Sequence, residues 1–263
     1  MEGRGTRLFL RAATIATLAF VYLPLTLVIV YSLNPSGTSA WPPSGVTLKW
    51  YGEALENTGL QQAFLTSLVI AIFAGSAALV LGTLAALGVA RHRYFGREVI
   101  SLAVIFPIAL PGIVTGMALS TTFGTIGFSL GFVTIVVGHA TFCVVLIYNN
   151  AVARLRRSAG SLEEASADLG AHAFQTFRHV TFPALRSAML AGFLLAFALS
   201  FDEVIVTIFV AGGVKTLPIW IFQSFRLANQ VPLVNVAGVV AILLSVIPVY
   251  FASRISSGAG VVR

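Results

Sequence analysis

Residues 163–183 read EEASADLGAHAFQTFRHVTFP. The stretch is polar and charged, yet it lies between two long apolar runs. Ser161-Leu162-Glu163-Glu164, at its start, has the form of a capping box, in which a serine caps a helix and a glutamate three residues on reaches back to it. That helix is expected to run to about Leu169 and to stop at Gly170, because glycine tolerates the positive φ of a helix stop. A second helix is expected from about Ala173, with Phe174, Phe177 and Val180 on one side and Pro183 closing it. The stretch therefore predicts two short helices meeting at a glycine elbow, with apolar side chains turned to water. Such a face needs a partner.

The surroundings of this stretch are built for lipid. Apolar residues make up 57% and charged residues 10% of the 263, against about 45–50% and about 25% in a soluble domain. Mean hydropathy is +0.94. Crossing about 30 Å of hydrocarbon takes about 20 apolar residues in a helix. Six stretches qualify: 9–33, 63–90, 101–122, 131–153, 188–210 and 236–252. The first has too long an apolar run for a signal peptide, and Asn34-Pro35-Ser36 offers no small-x-small cleavage site, so it is expected to stay as an anchor. The expectation is an all-α, multi-pass membrane protein. Residues 1–62 would form an N-terminal anchor span with an outer loop. Residues 63–263 would form a five-span core that includes the loop at 154–187.

Charge gives the orientation. The formal net charge is +7. The basic residues lie between the apolar spans, which is the pattern of a topology signal and not of a nucleic-acid surface. Arg4, Arg7, Arg11, Arg91, Arg93, Arg97, Arg154, Arg156, Arg157, Arg178, Arg186, Arg254 and Arg263 fall on one side, and Lys49, Lys215 and Arg226 on the other. The positive-inside rule places both termini and the 154–187 loop in the cytoplasm.

Several residues bear on chemistry. A phosphate-cradling loop needs Gly-Lys-Ser/Thr after a glycine-rich turn. The only lysines, Lys49 and Lys215, do not follow glycine. His92, His139, His172 and His179 show no metal-ligand spacing. The single cysteine, Cys143, lies within an apolar run and reads as a buried small residue. Span 3 carries Pro107 and Pro111, each of which removes a backbone donor and bends a helix. Gly75, Gly82, Gly88, Gly112 and Gly116 suit close helix contact.

Within span 5 stand Asp202 and Glu203, costly in lipid unless they meet a cavity or a partner. On a continuous helix, Gly192, Ala196, Ser200, Glu203 and Thr207 share one small, polar face. Asp202 lies with Leu195, Ala198 and Phe209, and Phe193, Phe197 and Phe201 form a third stripe. Beyond this span, Leu217-Pro218-Ile219-Trp220-Ile221-Phe222 is too apolar for a free loop. It reads as a re-entrant helix or as a membrane-edge anchor with Trp220 at headgroup depth.

The quoted stretch resembles the EAA loop of ABC-importer permeases, whose pattern is E-A-A, three residues, G, nine residues, I-x-L-P. Here Glu164-Ala165-Ser166 is followed by Gly170 and then by Val180-Thr181-Phe182-Pro183, with every spacing matched. Ser166, Val180 and Phe182 stand for alanine, isoleucine and leucine. Residues 197–222, FALSFDEVIVTIFVAGGVKTLPIWIF, with Asp202-Glu203 and Thr216-Leu217-Pro218, resemble the second permease type of spermidine/putrescine importers. The resemblance implies the type I importer permease fold of six transmembrane helices in the inner membrane. It implies a coupling loop (Glu164, Ala165, Ser166, Gly170, Phe174, Phe177, Pro183) seated on a separate ATPase. The small, polar face of span 5 and its acidic pair make Asp202, Glu203, Ser200 and Thr207 the expected lining of a substrate path. The implied partners are a homologous second permease, two ATPase subunits that hold ATP and magnesium, and a periplasmic or lipid-anchored binding protein. No cofactor is implied for this chain, which is expected to be a permease and not an enzyme. The alternatives are a related importer for ferric iron, aminoethylphosphonate or another small solute, and a stand-alone secondary transporter.

Overall fold

The computed structural model describes residues 4–91, 94–157 and 160–258. Arg93, Arg263 and His92 lie outside the described residues. Regular structure among the described residues is helical throughout: α1 (Arg4–Ser32), α2 (Lys49–Glu56), α3 (Thr58–Arg91), α4 (Arg97–Ala109), α5 (Gly112–Thr125), α6 (Phe132–Arg157), α7 (Ser161–Asp168), α8 (Ala173–Thr176), a π-helical turn (Phe177–Thr181), α9 (Phe182–Phe201), α10 (Ile205–Val210), α11 (Leu217–Ser224) and α12 (Val231–Gly258). Five helices, at Gly5–Ser32, Thr58–Arg91, Phe132–Arg157, Ala173–Phe201 and Ala228–Ile255, are long and apolar enough to cross a membrane. The pair α4 and α5 makes a sixth span only if counted as one broken unit, because the two are bent by 106°.

That bend corrects the expectation of a single kinked span over 101–122. The two prolines act differently. Pro107 is carried inside α4, whereas Pro111 ends it. The residue before a proline is pushed out of the helical region, and Leu110 has φ −79° and ψ 140°. Pro111, itself at ψ 132°, then serves as the N-cap of α5. The chain thus turns at Leu110-Pro111 rather than bending gradually.

The chain divides into two compact units. One joins the chain up to Gln61 with Trp220–Ile242, and the other joins Gln62–Ile219 with the chain from Leu243 onward. In the first unit, Asn34 organises the segment after α1. Its Oδ1 accepts from Ser44 N–H at 3.2 Å and Ser44 Oγ–H at 3.0 Å, and its Nδ2 donates to Thr38 O at 2.8 Å. Trp50 Nε1 donates to Asn34 O at 2.8 Å. Asn57 caps α3 by accepting Leu60 N–H at 2.9 Å, the usual task of an asparagine just outside a helix. Trp220, at headgroup depth in one of the two readings of its segment, is only 8% exposed.

In the second unit α6 is the central helix. Its face of Ile135, Phe142, Cys143 and Ile147 meets Ile70 and Ala78 of α3, Ala196 of α9, and Val206 and Val210 of α10. Cys143 is fully buried, as its place in an apolar run suggests. Close approach depends on glycine at Gly82, where a Cβ would stand 2.9 Å from Val144 O. Gly75 meets Phe193, and Gly112 and Gly116 meet Ile205 and Phe209 of α10. Gly88 has open space and serves no such contact. A second cluster, with Ala86 and Val89 of α3, Tyr148, Val152 and Leu155 of α6, and Leu185 of α9, closes the opposite end of α6. Leu217 N–H donates to Ser67 Oγ at 2.8 Å, which ties the start of α11 to α3.

Candidate functional site

The loop between α6 and α9 folds as a V. α7 ends at Asp168, Leu169 is its C-cap, and Gly170 turns the chain at φ +83°. Gly170 N–H donates to Ala167 O at 2.9 Å and Ala171 N–H to Ser166 O at 3.1 Å. That pair of bonds is the Schellman stop, which satisfies carbonyls that the helix end leaves open. The second arm starts at Ala173, with His172 N–H held by Gln175 Oε1 at 3.0 Å. Ser166 Oγ and Thr176 Oγ1 lie 3.0 Å apart and pin the two arms together. The elbow at Gly170 and the start near Ala173 agree with the sequence reading.

Two local expectations are corrected. Ser161 does not cap α7. Gly160 is the N-cap, and its carbonyl accepts from both Glu163 N–H and Glu164 N–H at 3.0 Å. Ser161 is already helical, so its hydroxyl lacks the extended backbone that a capping side chain requires. Nor does Pro183 close the second arm. The chain runs from Ala173 to Phe201 without leaving helical structure, through the π turn Phe177–Thr181. There Phe182 N–H reaches back to Phe177 O, one residue further than in an α-helix. Pro183 then falls in the first turn of α9, where a missing N–H is tolerated. The wider turn also moves Phe177 off the exposed side. It is half-buried, with its ring 6.1 Å from that of Phe182.

The exposed side of the V is apolar. Leu162 (61% exposed), Ala165 and Leu169 (89%) line up along α7, and Phe174 (64%) continues the strip beyond the elbow. Glu164 is exposed beside it. The neighbouring Glu163, which sequence reasoning did not select, points the other way. Its Oε1 meets Arg91 Nη2 at 2.9 Å and accepts from Thr181 Oγ1 at 2.8 Å.

The second feature is the break between α9 and α10. The sequence reading placed Glu203 on a continuous helical face, but the helix stops at Phe201 and restarts at Ile205. The wheel therefore does not carry through the acidic pair. Asp202 is the C-cap of α9 and exposed. Glu203 is half-buried, and its Oε1 accepts Val206 N–H at 2.9 Å, satisfying an amide at the start of α10. Ser200 and Thr207, one on each side of the break, are buried and both meet His139 of α6. Ser200 Oγ lies 2.8 Å from Nδ1 and Thr207 Oγ1 lies 2.8 Å from Nε2.

One proton position follows by elimination. Thr207 spends its one hydrogen on Glu203 O at 2.7 Å, so Nε2–H of His139 donates to Thr207, and a neutral ring then accepts from Ser200 at Nδ1. The histidine is a clasp across the break, and it was legible in the sequence only as an isolated polar residue in an apolar span. Of the phenylalanine stripe, Phe201 is buried, stacks with Phe197 at 6.2 Å and meets the edge of Phe64 at 6.1 Å. That is a packing role.

Long apolar helices, a helical V with an exposed apolar face, and a span broken at two carboxylates describe a multi-pass membrane protein. The chain belongs to the family described as binding-protein-dependent transport system inner membrane component, which matches residues 78–259. It is a multi-pass inner-membrane permease of the ABC-importer class. It is 35% identical over 217 residues to the putrescine transport system permease protein PotI of Escherichia coli K12, covering 79% of this chain and 76% of that one. It is 33% identical over 236 residues to the spermidine/putrescine transport system permease protein PotC of the same strain, covering 89% and 88%. In fold it resembles a chain of a bacterial ABC transporter involved in the import of the acidic polysaccharide alginate, with TM-score 0.70, 17% identity and 98% of each chain covered. It also resembles a chain of the inward-facing MetNI methionine ABC transporter, with TM-score 0.61, 16% identity, and 81% and 99% covered.

Proposed function

We propose that this chain is one of two permease subunits of an importer that carries a polyamine, putrescine or spermidine, into the cell. The observation that carries the reading is the V of α7 and α8. Its exposed strip of Leu162, Ala165, Leu169 and Phe174 is held on a backbone stiffened by the Gly170 stop and the Ser166–Thr176 bond. A groove on an ATPase subunit takes this face, with Glu164 at its edge. Pro183 lets the second arm pass into α9, so a push on the V reaches the membrane-spanning helix directly. The positive-inside bias puts the V and both termini in the cytoplasm, where ATP is available.

The partners are a homologous second permease, two ATPases that hold ATP and magnesium, and a binding protein that delivers the solute. Asp202 and Glu203 stand at the break, where a carboxylate and the end of a helix both favour a passing ammonium group. Ser200 and Thr207 set the break from behind through His139. The polyamine assignment draws on the activities named for PotI and PotC, together with these two carboxylates. Purification from cells should bring down an ATPase and a second permease. Proteoliposomes holding that complex, given ATP and the binding protein, should accumulate labelled putrescine or spermidine. Active transport by this chain with no nucleotide-binding partner would defeat the importer reading. An ATP-driven complex that moves another solute and ignores both amines would defeat the polyamine reading alone.

A further inference from the structure

Two adjacent glutamates of the V face opposite ways. Glu164 is exposed, whereas Glu163 is turned toward the membrane-spanning helices. One oxygen of Glu163 holds both Arg91, the last residue of α3, and Thr181, the last residue of the π turn that leads into α9. Arg91 and Glu163 are 22% and 23% exposed, and Thr181 is 6% exposed. Leu155, Leu162 and Ala184 wall the same small recess. Arg91 Nε is buried and has no acceptor among the described residues, and among them Glu163 is the carboxylate paired with this guanidinium. An ion pair so far withdrawn from water is less screened than a surface pair, and removing one partner strands the other.

We infer that Glu163 is a positioning residue that locks the V to α3 and α9, so that the loop and these two helices move as one body. The inference rests on reading the V as the ATPase docking surface. It separates two tasks within one motif: Glu164 faces the partner, and Glu163 passes the partner's motion into the membrane. Without the lock, an ATPase would still bind the V. Its stroke would be absorbed by slippage of α7 against α3 and α9 and would not reach the spans in full.

The test uses the complete transporter in a Cys143→Ala background with spin labels at the exposed positions Leu84 on α3 and Ala167 on the V, the latter outside the docking strip. In the unaltered lock, the distance between the labels stays narrow and unchanged when a non-hydrolysable ATP analogue is added. Glu163→Gln keeps the size and an acceptor for Thr181 but removes the charge. It should retain the ATPase at the normal amount, broaden the distance distribution, and lower putrescine moved per ATP hydrolysed by about fivefold or more, within the usual range of coupling between sites. Exchanging the pair, Glu163→Arg with Arg91→Glu, should restore the narrow distance and most of the transport, because the attraction survives reversal. If Glu163→Gln fails to assemble, Thr181→Val, which removes only the tie to the π turn, should give a smaller change in the same direction. Unchanged distances in these variants with the ATPase bound would overturn the lock and leave the docking reading intact. Loss of the ATPase from Glu163→Gln would overturn it as well, by placing Glu163 on the docking surface. A wild-type complex that holds no ATPase would remove the docking reading and the lock together.

Discussion

His139 has no exposed surface, and each of its ring nitrogens is engaged by a hydroxyl from one side of the break in the fifth span. His139→Ala would leave both hydroxyls without their partner and open a cavity the size of an imidazole. Hydrogen bonds between membrane helices average about 0.6 kcal/mol and reach about 1.7, and a buried large-to-small change adds a cavity cost, so a total of about 2–4 kcal/mol is expected. A lowered unfolding midpoint in detergent checks this, and Thr207→Val should reproduce part of it. No change in either variant would mean that the clasp contributes nothing to stability. The carboxylates at the break allow a cleaner separation of charge from structure. Glu203→Gln keeps an acceptor for Val206 N–H, and Asp202 is exposed, so neither Glu203→Gln nor Asp202→Asn should impair assembly. Each is expected to lower polyamine uptake, and the double variant more than either. A double variant with normal uptake and affinity would remove both residues from the path.

The V is the element whose geometry depends most on one backbone angle. Gly170 stands at φ +83°, and a Cβ there meets nothing within 4 Å. The cost of replacing it is therefore intrinsic to the backbone, about 1–2 kcal/mol for a β-branched residue forced to positive φ, and not a clash. Gly170→Val should open the Schellman stop and reduce the ATPase that co-purifies, while membrane insertion is unaffected. Gly170→Asn, which tolerates this region better, should retain more ATPase. Equal retention by both variants and wild type would show that the elbow does not set the docking face. The long helix after the V shows a different economy. A proline that ought to end a helix is accommodated because the π turn shifts the register before it, which places Pro183 in a first turn.

For the whole chain, the bias of 13 basic residues on one side against 3 on the other gives a topology that labelling can check. Cys143 is buried, so Cys143→Ala supplies a quiet background. Leu169→Cys and Lys215→Cys are both at exposed positions. An impermeant maleimide should reach position 215 from outside intact spheroplasts and position 169 only in inside-out vesicles stripped of the ATPase. Labelling of position 169 from outside would reverse the orientation and, with it, the proposed access of the ATPase to the V.

The features legible in the sequence were those fixed over short distances along the chain. Four of the six expected spans, 9–33, 63–90, 131–153 and 236–252, fall on single long helices, because lipid requires every backbone group to be satisfied within its own helix. The elbow at Gly170 follows from a single residue that accepts positive φ, whereas the exposed strip of Leu162, Ala165 and Leu169 was not singled out in the sequence, and of the expected side only Phe174 is exposed. The features that only the tertiary structure decided depend on residues far apart. His139 is 61 residues from Ser200 and 68 from Thr207, and no local pattern links them. Glu163 and Glu164 are chemically alike and adjacent, and only the position of Arg91 makes one of them an inward tie. The break at Asp202 to Val204 interrupts what reads as a continuous span. A broken helix in a membrane needs its freed polar groups met by neighbours, and here the Glu203 carboxylate accepts Val206 N–H while the Thr207 hydroxyl, held by His139, donates to Glu203 O.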